Sequence, residues 1–120
     1  VRKHWIVLPL LLALVAGVAA AQDQKRESQL RTVRGAVVDK QDNPIASGVV
    51  YLKNLRTLTV KTYISDDTGQ YRFSGLDPNV DYEIHAERGD STSAKRTISS
   101  FDSRRDIVIN LKVDKKKSEK

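Results

Sequence analysis

His85 stands between Glu83 and Glu87 at alternate positions. On an extended strand these three side chains would share one face, in the pattern of a weak metal or proton-transfer site. Zinc normally takes three or four protein ligands, so the simpler reading is a surface histidine. The other histidine, His4, lies at the far N-terminal end, and the chain has no cysteine. Those two facts exclude a thiol nucleophile, a Cys/His zinc site, a disulfide framework and a multi-histidine metal centre. A Ser-His-Asp device would have to use His85. No cofactor is expected and no catalytic residue is assigned.

Asp66, Asp67 and Gly69, with Asp39 and Asp42 elsewhere, offer oxygen ligands for calcium. The spacing lacks the full ligand ladder of a calcium loop, and a turn explains the same residues. Two tyrosines are a better candidate. Tyr51 and Tyr63 fall on the same predicted phase of neighbouring strands, flanked by Lys53 and Lys61. Paired in register, the rings would form a small platform for a sugar or a protein partner. The competing reading is a cross-strand pair worth ~0.2–1 kcal/mol to the sheet. Lys115, Lys116 and Lys117 form a third candidate, a weak contact with an anionic surface, each lysine near such a surface contributing ~1 kcal/mol. The simpler reading is a solubilising tail. No aromatic-interleaved basic face suggests nucleic acid.

These residues must be positioned by a chain of 120 residues and 13.5 kDa, enough for one domain. Its first 21 residues read as an export leader. Arg2 and Lys3 precede a stretch, Trp5 to Ala21, without a charge, and Ala19-Ala20-Ala21 supplies a small-residue cleavage site before Gln22. The alternative is a retained N-terminal membrane anchor, although seventeen helical residues span about 26 Å against a bilayer core of ~30 Å. The expected location is periplasmic or secreted. The processed chain carries 19 basic and 15 acidic residues. Most of that excess sits in Lys112 to Lys120, leaving 22–111 at a net charge of +1.

Polar residues from Gln22 to Arg31 read as a linker, after which alternation with period two takes over. Seven strands are predicted. They are 32–39 (Val33, Gly35 and Val37 on one face), 48–55 (Val50 and Leu52 inward), 58–65 (Val60, Thr62 and Ile64 inward), 70–74 (Tyr71 and Phe73 inward), 81–87 (Tyr82, Ile84 and Ala86 inward, Glu83 and His85 to solvent), a weak 94–99, and 106–113 (Ile107, Ile109 and Leu111 inward). Asp66-Asp67-Thr68-Gly69 is predicted to close a hairpin, with Gly69 at positive φ. Residues 114–120 read as a lysine-rich disordered tail. Short strands with turn signals every few residues argue an all-β, seven-stranded antiparallel β-sandwich of the immunoglobulin-like or transthyretin-like kind.

The frame Val33-x-Gly35-x-Val37-x-Asp39, Asn43-Pro44-Ile45 and Gly48-Val49-Val50-x-Leu52 resembles the start of a carboxypeptidase regulatory-like domain. The run Asp66-x-x-Gly69-x-Tyr71-x-Phe73-x-Gly75-Leu76-x-Pro78-x-x-x-Tyr82-x-Ile84 is its more specific part. The resemblance covers residues 32–113 and implies a transthyretin-like sandwich serving as an accessory module in exported bacterial proteins. The family commonly has Pro-x-Gly before the tyrosine of the fifth strand. Here Pro78-Asn79-Val80-Asp81 intervenes, which predicts Asn79 in a left-handed conformation. Related Cna B-type repeats join a first-strand lysine to a last-strand asparagine; here Arg34 stands where the lysine is needed, so no such crosslink is expected. The functional expectation is a non-catalytic module for protein interaction or structural support at the cell envelope, with carbohydrate binding on Tyr51/Tyr63 as the alternative.

Overall fold

The computed structural model describes residues 29–117, so the leader expected over 1–21 and most of the linker after it lie outside the described residues. The domain from Arg31 is built from nine strands: β1 Arg31–Val38, β2 Val49–Asn54, β3 Val60–Ile64, β4 Gln70–Leu76, β5 Tyr82–Arg88, β6 Ser91–Ser93, β7 Arg96–Ile98, β8 Asp106–Val108 and β9 Leu111–Lys116. Hydrogen bonding orders them β3-β2-β5-β6-β9-β1-β4, with β7 added to β5 and β8 to β1. Most pairs are antiparallel, but β1 runs parallel to both β8 and β9. The sheet is therefore mixed, where uniform antiparallel pairing was expected.

The core follows the alternation. Val33 and Val37 of β1, Tyr71, Phe73 and Leu76 of β4 and Ile107 of β8 come from one group of strands. Val50 and Leu52 of β2, Tyr82, Ile84 and Ala86 of β5 and Ile98 of β7 come from the other, and all are buried in one hydrophobic cluster. Each fully buried side chain of this size contributes about 1.5–3 kcal/mol. Leu76 and Val80 are buried in the same cluster.

One predicted strand is broken in the structure. The segment expected as one strand over 106–113 divides at Ile109-Asn110 into β8 and β9. The cause is on β1: β8 pairs with Thr32–Arg34 and β9 with Val37–Val38, while the chain between them bends over Gly35. A Cβ at Gly35 would stand 1.9 Å from the Ile109 carbonyl oxygen. At the bend the Asn110 side-chain oxygen accepts from the Ala36 N–H at 3.0 Å, replacing a ladder bond. The weak strand expected at 94–99 is present as β7, and a strand that was not expected, β6, precedes it; β6 bridges β5 to β9 whereas β7 pairs with β5 alone.

Four further expectations are corrected. The turn at Asp66–Gly69 does not close a hairpin, since β3 pairs with β2 and β4 with β1; it carries the chain from one group of strands to the other. Gly69 does take positive φ, 77°, whereas Asn79 does not, its backbone N–H being held by the Asp77 carboxylate in a local turn. Residues 114–117 are not a disordered tail: β9 runs to Lys116, with Lys115 opposite Thr92 and Lys116 opposite Ser91. Arg31 is not linker. It opens β1 and is 2% exposed, and its guanidinium donates to the carbonyls of Ser99 at 2.7 Å, Val80 at 3.0 Å and Asp77 at 3.3 Å.

Candidate functional site

Strand register decides which side chains meet. In the β2–β3 ladder Tyr51 lies opposite Thr62, and Tyr63 lies opposite Val50. Directly opposed residues share a face and neighbours along a strand alternate. Tyr51 and Lys53 therefore sit on the outer face, while Tyr63 and Lys61 sit on the side of buried Val50 and Leu52. The expected Tyr51/Tyr63 platform does not form. Tyr63 instead turns its ring toward Phe73 of β4, edge-on at 5.9 Å, and Tyr51 stacks on His85 with centroids 5.0 Å apart and planes 14° from parallel.

The same register reverses the expected phase of β3. Val60, Thr62 and Ile64 lie on the outer face, and every residue of β3 is exposed. An edge strand has no neighbour to cover it, so its apolar residues need not mark a core. The remaining motif residues take their expected structural places. Tyr71, Phe73, Leu76 and Tyr82 are buried, Gly35 lies under the Ile109 bend, and Asp66, Gly69 and Pro78 lie in turns.

Around Tyr51 the outer face carries a closed polar cluster. His85 Nε2 lies 3.1 Å from Glu87 Oε2, and Lys117 Nζ donates to Glu87 Oε1 at 2.9 Å. The Lys117 ammonium, and secondarily the His85 contact, hold the Glu87 carboxyl below its ordinary range. In return Glu87 raises Lys117. Lys117 is further fixed by its backbone N–H on the Asp90 carbonyl at 2.8 Å. His85 is thus half-buried under Tyr51 and Glu87, not on open solvent as expected. A groove of about 380 Å³ runs beside the cluster between Ser47, Tyr51, Arg88 and Lys117. Both Glu87 oxygens are already engaged, so the cluster fastens β9 to β5 and presents no free ligand oxygen. Sequence reading missed this tie because Lys117 lies 30 positions from Glu87 and in a stretch read as tail.

Asp66 and Asp39 are likewise engaged, and Asp42 pairs with Lys112 at 3.1 Å. Asp66 Oδ1 accepts from the Thr68 and Gln70 N–H groups and the Thr68 hydroxyl, and Asp39 Oδ1 accepts from the Gln41 and Asn43 N–H groups. The backbone bonds, from Gln70 and Asn43 above all, hold both carboxyls below the usual range. These are turn-locking carboxylates. Among the described residues no group of three or more His, Cys, Asp or Glu side chains is placed to hold a metal ion. Arg34 makes a two-pronged ion pair with Asp106 at 3.0 Å, and the Asn110 amide oxygen is taken by Ala36, so neither meets a crosslinking partner.

What remains available is an edge. Leu55, Leu58, Val60, Tyr63 and Ile64 are all exposed large apolar residues, gathered in β3 and the turn leading into it; Val60 is 53% exposed and Ile64 66%. The outer margin of β3 has no strand beside it among the described residues. Its backbone N–H and C=O groups are thus open to another chain.

This all-β domain, with Tyr71 and Phe73 buried between Gly69 and Pro78 and a single hydrophobic cluster between its strands, has the character of a β-sandwich. The model of the carboxypeptidase regulatory-like domain matches residues 32–113, and the chain belongs to that family. No curated protein matches the sequence. Solved structures share the fold at low identity. Catechol 1,2-dioxygenase from Pseudomonas arvilla C-1 is 11% identical with a TM-score of 0.55, over 75% of this chain and 53% of that one. The 3-chlorocatechol 1,2-dioxygenase from Rhodococcus opacus 1CP is 9% identical with a TM-score of 0.57, over 72% and 60%. A shaft pilin from Lactobacillus rhamnosus GG, in a double-mutant form, is 13% identical with a TM-score of 0.53, over 73% and 51%. The chain thus spans about half of these chains' lengths, and the likeness is one of fold.

Proposed function

We propose that this protein is an exported, non-catalytic β-sandwich module that binds protein or gives structural support at the cell envelope, with β3 as its contact edge. One observation carries the reading: the exposed apolar side chains gather on an edge strand whose outer backbone margin is unpaired among the described residues. Soluble domains ordinarily blunt such edges with charge, proline or a bulge, and β3 has one charge, Lys61, and no proline. Family membership and a pilin among the structures of like fold agree with a non-catalytic role.

Export is proposed from Arg2-Lys3, the uncharged run to Ala21 and the small residues before Gln22. Lys115 and Lys116, exposed on β9, add a weak attraction to anionic envelope polymer. The absence of a shared Tyr51/Tyr63 face leaves the glycan alternative without its platform.

The experiment is a photo-reactive side chain placed at Ile64 or, as control, at the exposed Val108, followed by irradiation of intact cells. The reading expects a discrete protein adduct from position 64 and none from position 108. Equal labelling at both, or none at 64, overturns it.

A further inference from the structure

We propose that the partner of β3 is a second copy of this chain, paired antiparallel through β3 about an axis at Thr62. The inference rests on the reading of β3 as the contact edge and adds the identity and register of what binds it. The sequence of β3, Val60-Lys61-Thr62-Tyr63-Ile64, is complementary to itself when reversed about its centre. Val60 then lies opposite the partner's Ile64, Lys61 opposite the partner's Tyr63, and Thr62 opposite the partner's Thr62. Val60, Thr62 and Ile64 share the outer face, so the join carries one β-branched row across both copies, the kind of cross-strand pairing that stabilises sheets. On the other face each Lys61 ammonium meets a tyrosine ring, a favourable cation–π contact.

Other arrangements are worse. A two-fold axis at Lys61 sets two ammonium groups against each other, and one at Tyr63 leaves Val60 and Lys61 beyond the shared ladder. Parallel in-register pairing again opposes Lys61 to the partner's Lys61. The opposite edge, β4, adds a second cation, Arg72, to a join that already holds Lys61, and it offers Gln70, Arg72 and Ser74 as its exposed residues in place of an apolar row. The symmetric β3–β3 join also closes on itself, since each copy has one β3 and both are consumed.

The 120 residues contain no cysteine, so single cysteines report the register. Opposed residues in an antiparallel ladder lie ~4.5–5.5 Å apart at Cα, within disulfide reach. On mild oxidation Thr62→Cys is expected to form a covalent dimer roughly tenfold faster than the Val108→Cys control. Mixed Lys61→Cys and Tyr63→Cys chains should crosslink to each other in preference to themselves. Circular dichroism on each variant establishes that the β fold is retained. Dimer formation by Thr62→Cys no faster than by Val108→Cys overturns self-pairing, as does self-crosslinking of Lys61→Cys at the rate of the mixture. If position 64 still captures a different protein in cells, the contact-edge reading stands while the second-copy proposal falls.

Discussion

The phenol of Tyr71 donates to the carbonyl of Ile109 at 2.6 Å, inside the core and at the point where the chain breaks between β8 and β9. The bond ties the aromatic plug to the bend. Burial raises the Tyr71 phenol above its ordinary range, because the phenolate would be stripped of water. Tyr71→Phe keeps the ring and strands the carbonyl, so it should cost about 1–3 kcal/mol. Phe73→Ala, which empties a ring's volume beside it, should cost about 3–5 kcal/mol. Urea titration of both variants gives the order. In a spectroscopic titration of the native protein, the Tyr71 phenol should ionise only above the ordinary tyrosine range. Because the native pKa is the raised one, this contribution is intact below about pH 10 and is lost as the pH climbs beyond it.

Gly35 and Gly75 make opposite predictions. A methyl group at Gly35 would be driven into the Ile109 carbonyl, backbone against backbone, whereas nothing lies within 4 Å of a Cβ at Gly75. Gly35→Ala should therefore cost at least about 3 kcal/mol and should also disturb the bend, seen as loss of Ala36 amide protection. Gly75→Ala meets only the penalty of its φ of 71°, about 1–2 kcal/mol. Equal thermal midpoints for the two variants would show that the approach of Ile109 to β1 is wrongly described.

Why the strands could be read from sequence and β3 could not follows from what surrounds them. β1, β4 and β5 each have one face on the core, so alternation in Val33/Val37, Tyr71/Phe73 and Tyr82/Ile84/Ala86 reports burial directly. In β3 both faces are exposed, and Val60 and Ile64 suit a strand without being inside it. A phase error of one residue moves every side chain to the other face, which is how Tyr63 was assigned to the face of Tyr51. The split at Ile109 was hidden for a different reason: it depends on β1 pairing with segments far away in the chain.

Arg31 belongs to the same class of long-range effect, and it is the residue whose role is most sensitive to chemistry. Its alternation with Val33 and Val37 points it inward, a signal present in the sequence, but the carbonyls that make burial tolerable come from residues 46 to 68 positions away. The planar guanidinium reaches the Ser99 side and the Asp77–Val80 turn together. A lysine is a single compact charge and cannot bridge both. Arg31→Lys should lose about 2 kcal/mol or more, and Arg31→Ala more again because the stranded carbonyls keep their desolvation cost. The check is chemical denaturation, with exchange at Val80 and Ser99 expected to accelerate first. An Arg31→Lys variant as stable as the wild type would remove Arg31 as the tie between these loops.

Acid should loosen the domain through carboxylates, and the sign follows from their direction of shift. Arg104 holds Asp102 at about 2, Arg34 holds Asp106 below its usual range, and Asp39, Asp66 and Glu87 are lowered by the donors described above. A carboxyl lowered in the native state stabilises it above the unfolded pKa of about 4 and loses that contribution as the pH falls through the native value. The contribution of these carboxylates should therefore be level above about pH 5 and decline between about pH 4.5 and 2. Salt should weaken the exposed Arg34–Asp106 and Arg104–Asp102 pairs at any pH, but not the turn locked by Asp66, whose partners are neutral. Asp66→Asn preserves an accepting oxygen and removes a titration, so its denaturation midpoint should fall less steeply with acid than the wild type's. Identical slopes for the two would mean that the Asp66 carboxylate does not hold the turn that carries the chain from β3 to β4.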